Sequence, residues 1–253
     1  MRSLPLAISG VSKVFDGPSG RITAIDGVDL SIAPSEIVSI VGPSGCGKST
    51  LLRMVAGFDT PSSGDILLGG QRIKAPGADR GIVFQQPQLY PWLNVSENVV
   101  FGPRMRGVPR ASYADAAVRY IEAVGLSGFE KHYPYQLSGG MRQRVQIARV
   151  LINEPTILLM DEPFGALDYQ TRLEMQKLLL DLCGELAPTV LFITHDIDEA
   201  VFISDRIYVM SRRPGRIAET LDVPLPRPRI YEEATASDVF VQLKLRVLKS
   251  LQH

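Results

Sequence analysis

Long apolar runs, an excess of one charge and a cysteine framework are all missing from this chain of 253 residues. No apolar stretch approaches the ~20 residues that a membrane-spanning helix needs. The longest, 37–41 and 157–160, read as buried strands. The start, MRSLPLAISG, lacks the apolar core of a secretory leader. The chain is therefore expected to stay in the cytosol and to meet a membrane only through partners. Lys plus Arg number 27 and Asp plus Glu 27, so the basic excess needed for a sequence-independent grip on nucleic acid is absent. No nucleic-acid partner is expected. The two cysteines, Cys46 and Cys183, are too few for a disulfide framework and have no metal-like spacing.

What is present fits one α/β domain that carries a helical insertion. Residues 6–11 and 22–32 alternate apolar and polar positions around a Gly/Pro/Ser turn at 16–20, which predicts an antiparallel hairpin. Residues 36–41 form a nearly all-apolar run ending at Gly42, as a central parallel strand should. A helix follows over 48–56, then a strand pair at 65–68 and 71–73 and a short strand at 81–84. From about 95 to 152 the pattern is helical with no convincing strand. The core resumes at 156–160, continues through a helix at 169–182 and returns to strand at 189–194 and 206–210. Residues 1–230 are read as one domain, with the tail 231–253 holding an amphipathic helix at 238–251. Its apolar stripe is Val239, Leu243, Val247 and Leu251. There are no internal repeats or low-complexity segments.

The chemistry concentrates in three places. Gly42-Pro43-Ser44-Gly45-Cys46-Gly47-Lys48-Ser49-Thr50 fits G-x-x-x-x-G-K-[ST] between a strand and a helix. Its glycines let successive amide N–H groups turn inward to a polyphosphate, and the following helix adds its positive end. Lys48 brings a point charge to the β- and γ-phosphates, and the Ser49 hydroxyl suits Mg²⁺. Cys46 stands at a helix start that should favour its thiolate, so alkylation there is expected to block ATP binding. The strand at 157–160 delivers Asp161 and Glu162 to the sheet edge where ligands of open α/β sheets bind. Asp161 suits the Mg²⁺ shell. Glu162, one residue on, should face the opposite way, towards an attacking water. Leu137-Ser138-Gly139-Gly140-Met141 opens a helix at 141–152 with no bulky side chains, which leaves free N–H groups and a positive dipole end suited to a phosphate. Its inward stripe should be Met141, Val145, Ala148 and Ile152.

These motifs, in this order, resemble those of ABC-type transport ATPases over essentially residues 4–222. The resemblance implies a P-loop NTPase core with a mixed sheet, an antiparallel β subdomain and an inserted α-helical subdomain. LSGGM is similar to the family's signature, which contacts the nucleotide held by a neighbouring subunit. It implies a head-to-tail dimer in which Ser138, Gly139 and Gly140 act on the partner's ATP, with Asp168 of Ala166-Leu167-Asp168 at the seam. His195, in Thr-His-Asp, resembles the switch histidine that contacts the γ-phosphate. Gln85 resembles the glutamine that ligates and senses Mg²⁺; Gln86 is the adjacent alternative, although the register Val83-Phe84-Gln85 favours the first. Phe15 resembles the aromatic that stacks on adenine, the alternative being a place in the hairpin core. Catalysis is expected from Lys48, Gln85, Glu162 and His195, and the metal shell from Ser49, Gln85 and Asp161, with ATP and Mg²⁺ as cofactors.

QQPQLYPWLNV, YPYQLSGGMRQRV and DEPFGALDYQTR look most like bacterial importer ATPases for nitrate, sulfonates and taurine. That implies a peripheral subunit on the cytoplasmic side of the inner membrane, working with a second ATPase subunit, permease subunits and, indirectly, a solute-binding protein. Residues 89–94, with Tyr90 and Trp92, are the expected permease contact; Trp92 packed between the two lobes is the alternative. An exporter subunit or a non-transport ABC ATPase stands as the competing function.

Overall fold

The computed structural model describes residues 3–17 and 20–252. β1 (Leu6–Gly17) and β2 (Gly20–Ile32) form the expected hairpin, with strands longer than the alternation suggests. Pro18 and Ser19 of its turn lie outside the described residues. β3 (Ile37–Val41) leads into α1 (Lys48–Ala56), then β4 (Ser63–Leu68), β5 (Gln71–Arg72) and β6 (Arg80–Phe84). Helices α2 (Val95–Val99), α3 (Phe101–Met105), α4 (Ala114–Ala123) and α5 (Gly139–Leu151) follow, and no strand interrupts them. The core returns with β7 (Ile157–Asp161), α6 (Tyr169–Leu186), β8 (Thr189–Thr194), α7 (Ile197–Ile203), β9 (Arg206–Met210) and β10 (Ile217–Asp222). Helices α8 (Tyr231–Ala236) and α9 (Asp238–Ser250) close the chain.

The strands make two sheets. One is antiparallel in the order β2-β1-β4-β5; the other runs β10-β9-β3-β8-β7-β6. The second is mixed, parallel from β9 to β6 with β10 antiparallel at its edge. β3 and β8 are buried throughout and feed two cores by alternation. Val38, Ile40, Leu191 and Ile193 pack with α1 and the antiparallel sheet. Ile37, Val41, Val190 and Phe192 face α6, α7 and the helical insert. None of the helices is long and apolar enough to cross a membrane among the described residues.

Two helical stripes differ from the expected ones. α5 starts at Gly139, so both glycines are helical, and its buried face is Gly140, Gln143, Val145, Gln146, Ile147, Ala148 and Leu151. Two glutamines enter that face because Phe84 offers a carbonyl there: both Nε2 atoms donate to it, at 3.1 Å from Gln143 and 3.2 Å from Gln146. In α9 the buried residues are Phe240, Leu243 and Val247, and Val239 is exposed. The larger phenyl group takes the inward place against the core that includes α7.

Candidate functional site

The phosphate loop is shaped by its glycines. Gly45 (φ 75°) and Gly47 (φ 110°) are left-handed, a conformation that side chains oppose. A Cβ on Gly47 would lie 2.8 Å from Ile25 of β2. α1 begins without a side-chain cap, so its first amides stay open to an anion. Lys48 is buried and its Nζ donates to the carbonyls of Gly42 at 2.7 Å and Pro43 at 3.1 Å.

Above this loop lies a cavity of about 500 Å³ lined by Phe15, Ile22, Ala24, Ser44, Gly45, Gly47, Lys48, Ser49, Thr50, Gln85, Asp161, Glu162 and Arg213. The sequence motifs thus converge from β1, the loop, β6 and β7. Phe15 is 42% exposed and lines the cavity, so it is no core residue of the hairpin. Lys13 Nζ lies 5.1 Å from its ring centroid. Gln85 lines the cavity and Gln86 does not. Gly42, Pro43 and Cys46 form the loop's underside instead.

Cys46 corrects an expectation. It is 1% exposed, and burial pushes its thiol above the ordinary cysteine value despite the attraction of Lys48. The left-handed glycines on either side turn its side chain inward, where desolvation outweighs the helix end. It is therefore a packed thiol rather than a reactive thiolate.

The Ser49 hydroxyl donates to Asp161 Oδ1 at 3.1 Å. Burial pushes the Asp161 carboxyl up, opposed by the Ser49 bond. Glu162 does not face away from Asp161 as strand alternation predicts. Its φ of 46° ends the alternation, its N–H donates to the Ile193 carbonyl at 2.9 Å, and both acids line one cavity. His195 follows β8 and stands with Nδ1 2.9 Å from Glu162 Oε2. An ionised carboxylate can only accept, so this bond places the hydrogen on Nδ1 and leaves Nε2 available.

Ser138, Gly139, Gly140 and Asp168 lie outside this cavity. Ser138 caps α5, its Oγ accepting from Met141 N at 3.2 Å. Asp168 caps α6 by accepting from Thr171 N at 3.1 Å, which holds its carboxyl below the usual range. The two caps are neighbours: a Cβ on Gly140 would sit 2.5 Å from Thr171, and one on Gly139 3.8 Å from Leu167.

A second, larger cavity of about 690 Å³ lies beside Tyr90, Trp92, Phe101, Arg106 and Arg149. Trp92 is 69% exposed and does not pack between lobes. The segment around it is pinned by the buried Asn98, which accepts from Tyr90 N at 2.9 Å and donates to Leu93 O at 2.8 Å. Gln146 holds it too, accepting from Gln88 N at 3.0 Å. Arg149 stacks 5.6 Å from the Tyr90 ring, and no carboxylate pairs with it among the described residues.

Sequence reasoning missed Ile22, Ala24 and Arg213 in the nucleotide-sized cavity. The alternation of β2 could have offered the first two. Nothing local marks Arg213, which is brought in when Gly215 pairs with Ile25 across the fold.

Comparisons with known proteins bear on the fold and the family. The family profile described as ABC transporter matches residues 25–165. An uncharacterized ABC transporter ATP-binding protein of Methanocaldococcus jannaschii is 47% identical over 98% of this chain and 91% of its own. A nitrate import ATP-binding protein of Synechocystis is 49% identical over 87% and 83%. An aliphatic sulfonates import ATP-binding protein of Bacillus cereus is 40% identical over 99% and 97%. Among solved structures, a dimeric ATP-binding cassette in a post-hydrolysis state with ADP and Pi superposes with a TM-score of 0.74, at 33% identity, over 87% of this chain and 100% of its own. A Clostridium perfringens subunit of the cbiONQ transporter complex gives 0.79 at 29% identity over 98% and 97%. With its phosphate loop, paired acids and histidine assembled on the fold of those cassettes, the chain belongs to the ABC transporter family as one of its ATP-hydrolysing subunits.

Proposed function

We propose that this subunit powers uptake of a small anion, working as a nucleotide-sandwiching pair beneath a membrane permease. The relatives named for nitrate, aliphatic sulfonate and taurine import support the direction and solute class. The observation that carries the chemistry is Glu162, which lines the cavity with Lys48 and is bonded from outside that lining by His195.

In this reading adenine stacks on Phe15, and the phosphates lie along the loop amides towards Lys48. Lys48 then exchanges its carbonyl partners for phosphate oxygens. Ser49, Asp161 and Gln85 form an oxygen donor set of the kind Mg²⁺ takes, and the ion supplies neutralisation of phosphate charge. Water attacks the γ-phosphorus in line, the bond to the β,γ-bridging oxygen breaks, and ADP and phosphate leave. Glu162 takes the water's proton, and His195, oriented by the Nδ1 bond, holds the γ-phosphate side through Nε2.

Ser138, Gly139 and Gly140 serve the ATP of the neighbouring subunit, with Asp168 at the seam. Their place outside this chain's own cavity supports that division. The aromatic groove around Trp92 receives a cytoplasmic segment of the permease, and Gln85 links it to the nucleotide along a segment fixed by Asn98 and Gln146. Such a subunit is peripheral to the cytoplasmic face of the membrane.

The test is reconstitution with the permease in vesicles, measuring ATP turnover with nitrate, taurine and an alkanesulfonate on the outer side together with the binding protein. Stimulation by one of them supports the reading. Turnover indifferent to all three overturns the solute class.

A further inference from the structure

The turn after β9 reaches into the nucleotide cavity. Gly215 N donates to the Ala24 carbonyl at 2.9 Å, and Asp26 N donates to the Gly215 carbonyl at 3.0 Å. This pairing clamps the turn to β2 beside Ile22 and Ala24, the wall next to Phe15. A Cβ on Gly215 would lie 2.1 Å from the Cys46 carbonyl, so the turn is also pressed onto the phosphate loop. Arg213, two residues earlier, lines the cavity, and its Nη2 donates to the Gly45 carbonyl at 3.2 Å. No carboxylate pairs with it among the described residues, whereas the nearby Arg216 is paired with Asp26. A cation that lines a polyphosphate site and has no carboxylate partner is an anion-recognition group by charge.

We infer that Arg213 is a nucleotide-binding residue: its guanidinium contacts the phosphate chain of ATP. The contact rests on the ATP-binding reading of this cavity. It adds a charge from outside the nucleotide motifs, delivered by the turn after β9, the strand that pairs with β3 beside the phosphate loop. Gly45 ties that charge to the loop, so the guanidinium is positioned before ATP arrives.

The experiment measures the affinity of the purified chain for ATP and ADP by calorimetry, comparing the wild type with Arg213→Ala, Arg213→Gln and Arg213→Lys. Arg212→Ala is the control: it removes the same charge one residue away, from a side chain that does not line the cavity. Arg213→Ala and Arg213→Gln should each weaken ATP binding by about 3- to 10-fold at low salt. The difference from wild type should shrink at 1 M salt, where screening acts within a few ångströms. Arg213→Lys should stay within about twofold of wild type, and Arg212→Ala should bind normally. Wild-type affinity in Arg213→Gln would overturn the inference, as would equal weakening in Arg212→Ala. Loss in Arg213→Lys as large as in Arg213→Ala would assign the effect to the Gly45 bond instead. Failure of ATP binding by wild-type protein would sink the underlying reading, and is distinguishable from all of these.

Discussion

Glu162 is held by two constraints that pull in one direction. Its left-handed backbone lifts it out of the strand's alternation, and His195 fixes one carboxylate oxygen. The other oxygen remains for water. Glu162→Gln keeps the shape and loses the proposed base, so turnover should fall by at least ~10²-fold while ATP affinity holds; near-normal steady-state turnover would remove Glu162 from that role. Glu199 behaves differently. It is 4% exposed on α7, accepts from Gln176 at 3.2 Å, and burial raises its carboxyl from 4.5 to about 7. Between those values the folded chain holds a proton that the unfolded chain has released, so stability falls as pH rises from 4.5 to 7 and levels off above. The span corresponds to about 3 kcal/mol. Glu199→Gln is neutral at every pH and should flatten that part of the profile in urea unfolding at pH 5, 6, 7 and 8. An unchanged slope would place the titration elsewhere.

Secondary-structure elements are joined at the site by one arginine. Arg172, in the first turn of α6, donates to the Leu167 carbonyl at 3.1 Å and to Asp196 Oδ2 at 3.2 Å. Asp196 in turn caps α7, accepting from Glu199 N at 3.1 Å, and directly follows His195. The loop carrying Asp168 and the strand end carrying His195 are thereby tied through a single guanidinium. Arg172→Gln and Asp196→Asn should each slow turnover by roughly tenfold through misplacement of His195. The double variant should be no slower than the slower single one. Multiplicative losses in steady-state rates would show that the two residues act separately. This tie was not legible in the sequence, because a long-range bond leaves no local pattern. What was legible has local causes. β3, β7 and β8 are short apolar runs because both of their faces are buried, and the phosphate loop announces itself through glycines required by backbone geometry. α7 is only seven residues long and nearly all buried, too short to show a helical period. β10 is a half-exposed edge strand with a weak alternation. The inward turn of Cys46 follows from its flanking glycines, a geometry that motif spacing does not reveal.

At the scale of the whole molecule, the chain holds the cavity proposed for its own ATP and, apart from it, the two motifs proposed to act on a neighbour's. Ser138→Gly separates these halves. It removes the hydroxyl, while glycine at a helix cap costs only a few tenths of a kcal/mol. ATP affinity of the monomer should match wild type. ATP-driven dimerisation in a Glu162→Gln background, followed by analytical ultracentrifugation, should weaken by about tenfold or more. Dimerisation at wild-type strength would detach Ser138 from the partner's nucleotide. The close seating of Gly140 on Thr171 and Gly139 near Leu167 has a consequence for evolution as well as for mechanics. The Gly140 contact leaves no room for even a methyl group, so drift at that position is closed to the chain unless Thr171 shifts. The Gly139 contact is an ordinary van der Waals distance, so a small side chain there disturbs this chain little, and drift at the two glycines is unequal.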